Sequence, residues 1–195
     1  MNEETGLSLE DKESNYILSC SRSATENISI ESKNFYETPP LKVNFIPSKI
    51  FSIKKFTNDI AELFLKIPNR LDFDFIPGQY LSLKYQNIER SYSILSYDHN
   101  NKILSILCKK IQQGLFSNYI FEKAKENDRI IIKGPLGMIN IFQSNVKNYI
   151  FLATGVGISP IKSMLNSQQG INFFKNKKII IFWGNRYKEN FIYDF

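Results

Sequence analysis

Histidine, cysteine and long apolar runs are what this sequence has least of, and each shortage removes a class of chemistry. The one histidine, His99, stands in Asp98-His99-Asn100-Asn101, a turn-like tetrapeptide between two apolar runs. It reads as a surface turn residue, so histidine-dependent acid-base or triad chemistry has no support. The two cysteines, Cys20 and Cys108, are far apart and neither sits in a ligand spacing, which argues against a disulfide framework or a zinc site and for reduced thiols. No apolar run approaches the roughly 18 residues a membrane span needs, and Met1-Asn2-Glu3-Glu4 is not a basic lead into an apolar stretch. The expected location is the cytoplasm, with no membrane partner. The net charge is +6, yet lysines and acids are interspersed rather than massed in a stripe, so no nucleic-acid partner is expected either. An Asn-, Lys- and Ile-rich composition throughout the chain accounts for much of the basic excess. Any catalysis must come mainly from a cofactor.

What is present suits a packed core. The chain has 195 residues, 43% of them hydrophobic, enough for one large domain or two small ones. A polar stretch closed by Pro39-Pro40 marks a linker over residues 32–40. Beyond it, strand-like runs at 43–45, 61–67, 79–85, 90–95, 103–109 and 129–133 alternate with turn formers such as Pro68-Asn69 and Pro77-Gly78, the pattern of a small barrel or sandwich. Phe116, Tyr119, Ile120 and Ala124 recur at helical spacing and predict one helix among the strands, with Ser117 able to cap nearby amides. After Lys147 an apolar run at 149–153, a glycine loop, a helix from Ser159 or Pro160 to about Leu165, and a second apolar run at 178–183 make a βαβ pattern. Two strands are few for a parallel sheet, so this second domain is expected to be incomplete.

Three motifs carry possible chemistry. In Arg90-Ser91-Tyr92-Ser93, strand alternation puts Arg90 and Tyr92 on one face, where a guanidinium can hold a pyrophosphate and a phenol ring can lie against a flat heterocycle. Ser93 can donate to a ring nitrogen. Taken alone, the tetrapeptide fits an ordinary edge strand better. Gly114-Leu115-Phe116-Ser117 opens a helix, where free amides and the helix dipole favour an anion; a helix start with a capping serine explains it as well. Thr154-Gly155-Val156-Gly157-Ile158-Ser159-Pro160 lies between strand and helix. Gly155 and Gly157 permit positive φ and close approach of a pyrophosphate, with Ser159 as N-cap and Pro160 as first helical residue. Pro160 replaces the third glycine of the six-residue dinucleotide fingerprint. Gly134-Pro135-Leu136-Gly137 reads as a structural turn.

In their order and spacing, Pro77-Gly78-Gln79-Tyr80, Arg90-Ser91-Tyr92-Ser93, residues 114–117, residues 134–137, residues 155–160 and Trp183-Gly184-Asn185-Arg186 resemble the ferredoxin reductase superfamily. The resemblance implies a six-stranded Greek-key flavin-binding β barrel over 37–143 and an incomplete α/β parallel-sheet nucleotide-binding domain over 144–195. It implies FAD, with NADH or NADPH as electron donor, and electron transfer toward an iron-sulfur or other one-electron acceptor. Arg90 and Ser91 would lie at the flavin phosphates, Tyr92 on the isoalloxazine and Ser93 near its N5, the last two closest to the chemistry. Gly114 and Ser117 would meet the FAD pyrophosphate. Thr154, Gly155, Gly157 and Pro160 would form the pyridine-nucleotide loop, with Arg186 a further contact. Tyr16-Ile17-Leu18-Ser19-Cys20 and Ile28-Ser29-Ile30-Glu31 are similar to the end of a plant-type ferredoxin domain, so 1–36 is expected to be its remnant plus linker, with Cys20 in the place of a fourth [2Fe-2S] ligand. That domain order is similar to the reductases of deoxysugar biosynthesis and of bacterial oxygenases, whose partners are iron-sulfur dehydrases or oxygenase components. A cluster needs four cysteine ligands and none precedes Cys20, so the cluster is not expected here. Both ends are expected to be shortened relative to the family, which leaves three readings: an NAD(P)H:flavin reductase that passes electrons to free acceptors, a non-enzymatic flavin-binding remnant, or a small barrel used for interaction, with the motifs favouring the first two.

Overall fold

The computed structural model describes residues 6–18, 22–29, 31, 43–137 and 141–194. Cys20 and the linker around Pro39-Pro40 lie outside the described residues. The chain divides into two units, Met1–Pro39 and Pro40–Phe195. In the first, a short helix α1 (Leu9–Glu13) starts at a reciprocal cap: the Asp11 amide donates to Ser8 Oγ at 3.1 Å and the Ser8 amide donates to Asp11 Oδ2 at 2.9 Å.

The second unit begins with six strands: β1 (Asn44–Lys55), β2 (Ile60–Lys66), β3 (Tyr80–Tyr85), β4 (Ile88–Asp98), β5 (Ile103–Lys109) and β6 (Arg129–Leu136). They close into a barrel in the order β1-β2-β5-β4-β3-β6, every pairing antiparallel, which is the expected Greek-key barrel. Period-two alternation drives closure, because each strand sends one set of aliphatic side chains inward and water is excluded only when the sheet meets itself. Ile46, Ile50, Leu63, Leu65, Leu81, Leu83, Ile94, Leu104, Ile106, Ile130 and Ile132, from all six strands, form that interior. β1 is much longer than the 43–45 run that its sequence advertises. Pro47 hides it, yet β1 pairs with β2 only from Lys49 onward, so the proline sits where the strand has a ladder on the β6 side alone, the edge-like place a strand proline occupies.

One end of the barrel is plugged by α2 (Leu115–Asn118), which widens into a π-helical turn (Tyr119–Lys123). Phe116 and Ile120 are buried in the barrel core, and the Tyr119 ring stacks on Tyr85 with centroids 3.8 Å apart. The helical spacing read from Phe116, Tyr119 and Ile120 therefore marks a core-facing stripe, though the helix ends before Ala124.

Beyond the barrel, β7 (Asn148–Thr154) and β8 (Lys178–Gly184) pair in parallel, joined by α3 (Ile158–Asn166) and α4 (Gln168–Phe174). Tyr149, Phe151, Ile179 and Ile181 pack with Ile158, Ile161, Met164 and Phe174, while Ile150, Leu152 and Phe182 on the opposite face are exposed. The helix start differs from the sequence reading. A 3-10 turn (Gly155–Gly157) carries the chain into α3, so Gly157 is the N-cap, and Ser159 and Pro160 are the second and third helical residues. Ser159 is buried and its Oγ donates to the Val156 carbonyl at 2.8 Å, which ties down this turn rather than capping an amide. Proline is tolerated because the first-turn amides have no intrahelical acceptor. α4, absent from the sequence reading, is short and holds Gly170; Ser167 caps it, accepting from the Gly170 amide at 2.9 Å. Among the described residues no helix is long and apolar enough to cross a membrane.

Emptying the plug should be costly: Phe116→Ala is expected to lose about 3–5 kcal/mol in urea unfolding, whereas Phe51→Ala, half-exposed on the outer barrel wall, stays within about 0.5 kcal/mol.

Candidate functional site

β4 has two different neighbours along its length. From Ile88 to Ser93 it pairs with β3, and its register with β5 starts only at Ile94 opposite Ile106. Over Arg90, Ser91, Tyr92 and Ser93 it is thus paired on one side alone. The gap where β4 and β5 part is a cleft of about 300 Å³, at the lower end of the roughly 300–1,000 Å³ typical of ligand sites. Arg90 to Ser93 line one wall, Leu107, Lys109 and Ile111 a second, and Val156, Gly157 and Ser159 a third. The barrel motif and the glycine loop, separated by some sixty residues of sequence, meet there. Nothing in the local pattern of either announces the splayed strands that hold them together.

Individual side chains differ in how free they are. Arg90 is exposed and donates through Nη1 to the Glu89 carbonyl at 2.7 Å, leaving most of its five donors available. The Tyr92 ring leans on Phe116, with centroids 5.6 Å apart and planes at 41°, and burial holds its phenol far above the usual range. Behind it the Cys108 thiol lies 3.7 Å from the Tyr92 hydroxyl; burial pushes this thiol up to about 11. A neutral thiol inside the barrel is no nucleophile. Gly114 is the N-cap of α2, and a Cβ there would come within 2.6 Å of Ser117 Oγ, so no other residue fits without moving that serine. The buried Ser117 hydroxyl is already used, accepting from the Ile111 amide at 3.1 Å and donating to the Gly114 carbonyl at 3.1 Å.

The glycine loop is held from both sides. Gly155 takes a φ of +51°, a conformation that favours glycine, and its carbonyl accepts from Trp183 Nε1 at 2.9 Å. Gly157 has an ordinary φ of −61°, but a Cβ added there would meet nothing within 4 Å, so this face of the loop is open. Lys109 reaches the loop from the barrel, and its amine is 3.4 Å from Asp59 Oδ2. Thr154 lies elsewhere, opposite Gly184 in the β7–β8 ladder and on a separate cleft of about 530 Å³ shared with Leu152 and Phe182. Arg186 is exposed beyond the end of β8 and lines neither cleft. Sequence reasoning overlooked Lys109 and gave Trp183 and Gln79 no role. Gln79 is buried, accepts from the Ile76 amide at 2.7 Å and donates to the Gly137 carbonyl at 2.7 Å, clasping two turns together.

This geometry fits a flavin dinucleotide: a half-free guanidinium, a glycine that must be glycine at a helix start, an aromatic ring on a cleft wall and an open loop facing it. It does not fit an iron-sulfur cluster. Four cysteines are needed, Cys108 is inside the barrel core, and among the described residues no group of three or more His, Cys, Asp or Glu side chains could hold a metal.

Three outcomes follow from these contacts. Trp183→Phe, which keeps the ring and removes the donor, is expected to cost about 0.5–1.5 kcal/mol in urea unfolding. In a Cys20→Ser background, Cys108 is expected to resist Ellman's reagent at pH 8 until the chain is unfolded. The unfolded thiol loses its proton near pH 9 and the folded one near pH 11, so the unfolded state binds fewer protons between them. Stability should fall as pH rises through that window, by on the order of 2 kcal/mol, and Cys108→Ala should remove this part of the pH dependence.

Comparison with known proteins agrees with this architecture. Residues 47–141 match the oxidoreductase FAD-binding domain and residues 151–194 the oxidoreductase NAD-binding domain. The chain is 32% identical over 192 residues to the CDP-6-deoxy-L-threo-D-glycero-4-hexulose-3-dehydrase reductase of Yersinia pestis, covering 98% of this chain and 57% of that protein. It is 26% identical to the ferredoxin–NAD(P)(+) reductase component of the naphthalene 1,2-dioxygenase system of Pseudomonas putida, covering 92% of this chain and 53% of that one. It therefore spans little more than half the length of these relatives. In fold it is similar to a ferredoxin NADP+ reductase from Neisseria gonorrhoeae, with a TM-score of 0.65 at 23% identity over 76% of this chain and 60% of the other. A flavin-type barrel leading directly into a nucleotide-type strand, glycine loop and helix is what these two matches describe: the chain carries an oxidoreductase FAD-binding domain followed by an oxidoreductase NAD-binding domain, with a fold similar to that of ferredoxin reductases.

Proposed function

We propose that this chain is a flavoprotein oxidoreductase that takes electrons from NADH or NADPH and passes them through FAD to an iron-sulfur or other one-electron acceptor. The carrying observation is the shared cleft, whose walls come from the Arg90 to Ser93 strand on one side and the Gly157 loop on the other. Bound FAD would supply a ring able to accept a hydride and release electrons singly. The work of the chain is to position it. Arg90, with the Ser91 backbone beside it, holds the phosphates, and the amides at the Gly114 turn add donors there. Ser117 acts through that turn rather than by direct contact. The Tyr92 ring supports the flavin plane and the Ser93 hydroxyl donates at its edge. Opposite, Gly155 and Gly157 let a nicotinamide dinucleotide approach closely, Thr154 and Pro160 set the entry and exit of the loop, and Lys109 and Arg186 offer positive charge.

The dehydrase reductases of deoxysugar formation, such as CDP-6-deoxy-glucoseen reductase, are the favoured class, on the 32% identity to the Yersinia pestis protein. The partner is then an iron-sulfur dehydrase. An oxygenase reductase component is the second reading, supported by the naphthalene dioxygenase relative. A cytoplasmic location goes with either.

The test is the visible spectrum of the FAD-incubated chain, followed by anaerobic addition of NADPH and then NADH. Flavin absorption that bleaches supports the proposal; absorption that persists with both nucleotides sinks the electron-donor half, and a colourless protein sinks both. Arg90→Ala is expected to weaken FAD binding about 10–100-fold, the loss of a charge-assisted contact of about 1.5–3 kcal/mol, with thermal stability unchanged.

A further inference from the structure

A cavity of about 710 Å³ lies away from the cleft, on the wall where β1 passes from β2 to β6. Three cations stand side by side across it. Lys49 of β1 is in register with Lys66 of β2 on one side and with Arg129 of β6 on the other. Residues directly opposite in antiparallel strands point to the same face with Cβ atoms roughly 4.5–5.5 Å apart, so like charges there destabilise the sheet. A fourth cation, Lys84 of β3, borders the same cavity opposite Ile131.

Among the described residues no carboxylate is within ion-pair distance of Lys49, Lys84 or Arg129. The Lys66 amine donates to a backbone carbonyl, that of Asn101. Glu89, across from Lys84, is occupied by the Ser82 hydroxyl at 2.8 Å and the Lys133 amine at 3.9 Å. Between the cations the walls are apolar: Pro47 faces Ile131 across the β1–β6 ladder, and Ile67 and Pro68 close the β2 side. A row of unpaired cations over an apolar trough is complementary to a molecule with both features.

We infer that this cavity is a binding site for an amphipathic organic anion, an apolar body carrying a phosphate or carboxylate head. The head lies among Lys49, Arg129 and Lys84, where it removes the mutual repulsion; the body lies between Pro47, Ile131 and Pro68. A dinucleotide places its charge in a pyrophosphate between polar sugars and lacks a continuous apolar body. The site is independent of the flavin reading.

Isothermal titration of the full chain in low-salt buffer with octyl phosphate, octanoate, inorganic phosphate and octanol tests it. One equivalent of octyl phosphate or octanoate is expected to bind at least tenfold more tightly than inorganic phosphate, with no binding of octanol. Excess FAD should leave the isotherm unchanged. Lys49→Gln with Arg129→Gln should weaken binding at least tenfold, while the ligand-free melting temperature is no lower than that of the parent. Should that double variant fail to fold, Lys84→Gln is expected to weaken binding severalfold. The inference is overturned if the amphiphile binds no better than inorganic phosphate, if FAD displaces it, or if the folded variant binds it as the parent does.

Discussion

The seam between the barrel and the second layer is the contact on which the candidate chemistry depends. Leu95 of β4 and Leu107 of β5 leave the barrel surface to pack with Phe151, Ile158 and Ile161, and Phe56 of the β1–β2 turn joins the same cluster. Burial of apolar area is non-directional, so the seam needs support that fixes orientation. Lys109 of β5 supplies it, reaching the glycine loop from the barrel while paired with Asp59, and within the second layer Trp183 Nε1 holds the Gly155 carbonyl of that loop. The result is that the open face of the glycine loop stands over the part of β4 that has lost its β5 neighbour.

Closure of the barrel explains why that site can be open without weakening the whole. A closed sheet has no free edges except where strands are made to part. Here β4 and β5 part beside Arg90 to Ser93, and the plug formed by Phe116 and Tyr119 seals the interior behind them. The Tyr92 ring then has a solid floor of Phe116 and the Cys108 thiol, both deeply buried. A supported ring on the cleft wall is what positioning of a flat ligand requires.

The outer surfaces tell a different story from the interior. Strand alternation accounts for the inward residues Ile46, Ser48 and Ile50 of β1, yet the outward set, Pro47 and Lys49 among them, forms with Arg129 and Ile131 a charged trough that folding alone does not need. Likewise, β7 and β8 present Ile150, Leu152 and Phe182 outward while their other face is covered by α3 and α4.

The sequence by itself determined the class of fold and the chemistry of the motifs. Alternation along residues 61–67, 79–85 and 103–109 is a local property, and each run became a strand. The stripe of Phe116, Tyr119 and Ile120 was equally local and became the plug. Where a local rule met a competing one, reading failed: Pro47 concealed most of β1, Gly170 concealed α4, and Ser159 with Pro160 suggested a cap that the turn at Gly155–Gly157 had already moved upstream. Only the tertiary structure decided which residues share a site. The splay between β4 and β5 depends on strand register around the entire barrel, and the meeting of Arg90 with Gly157 depends on a seam made by residues far apart in sequence. Pattern along a chain encodes which face of an element is apolar; it does not encode where two elements stop pairing, because that is settled by the packing of all the others.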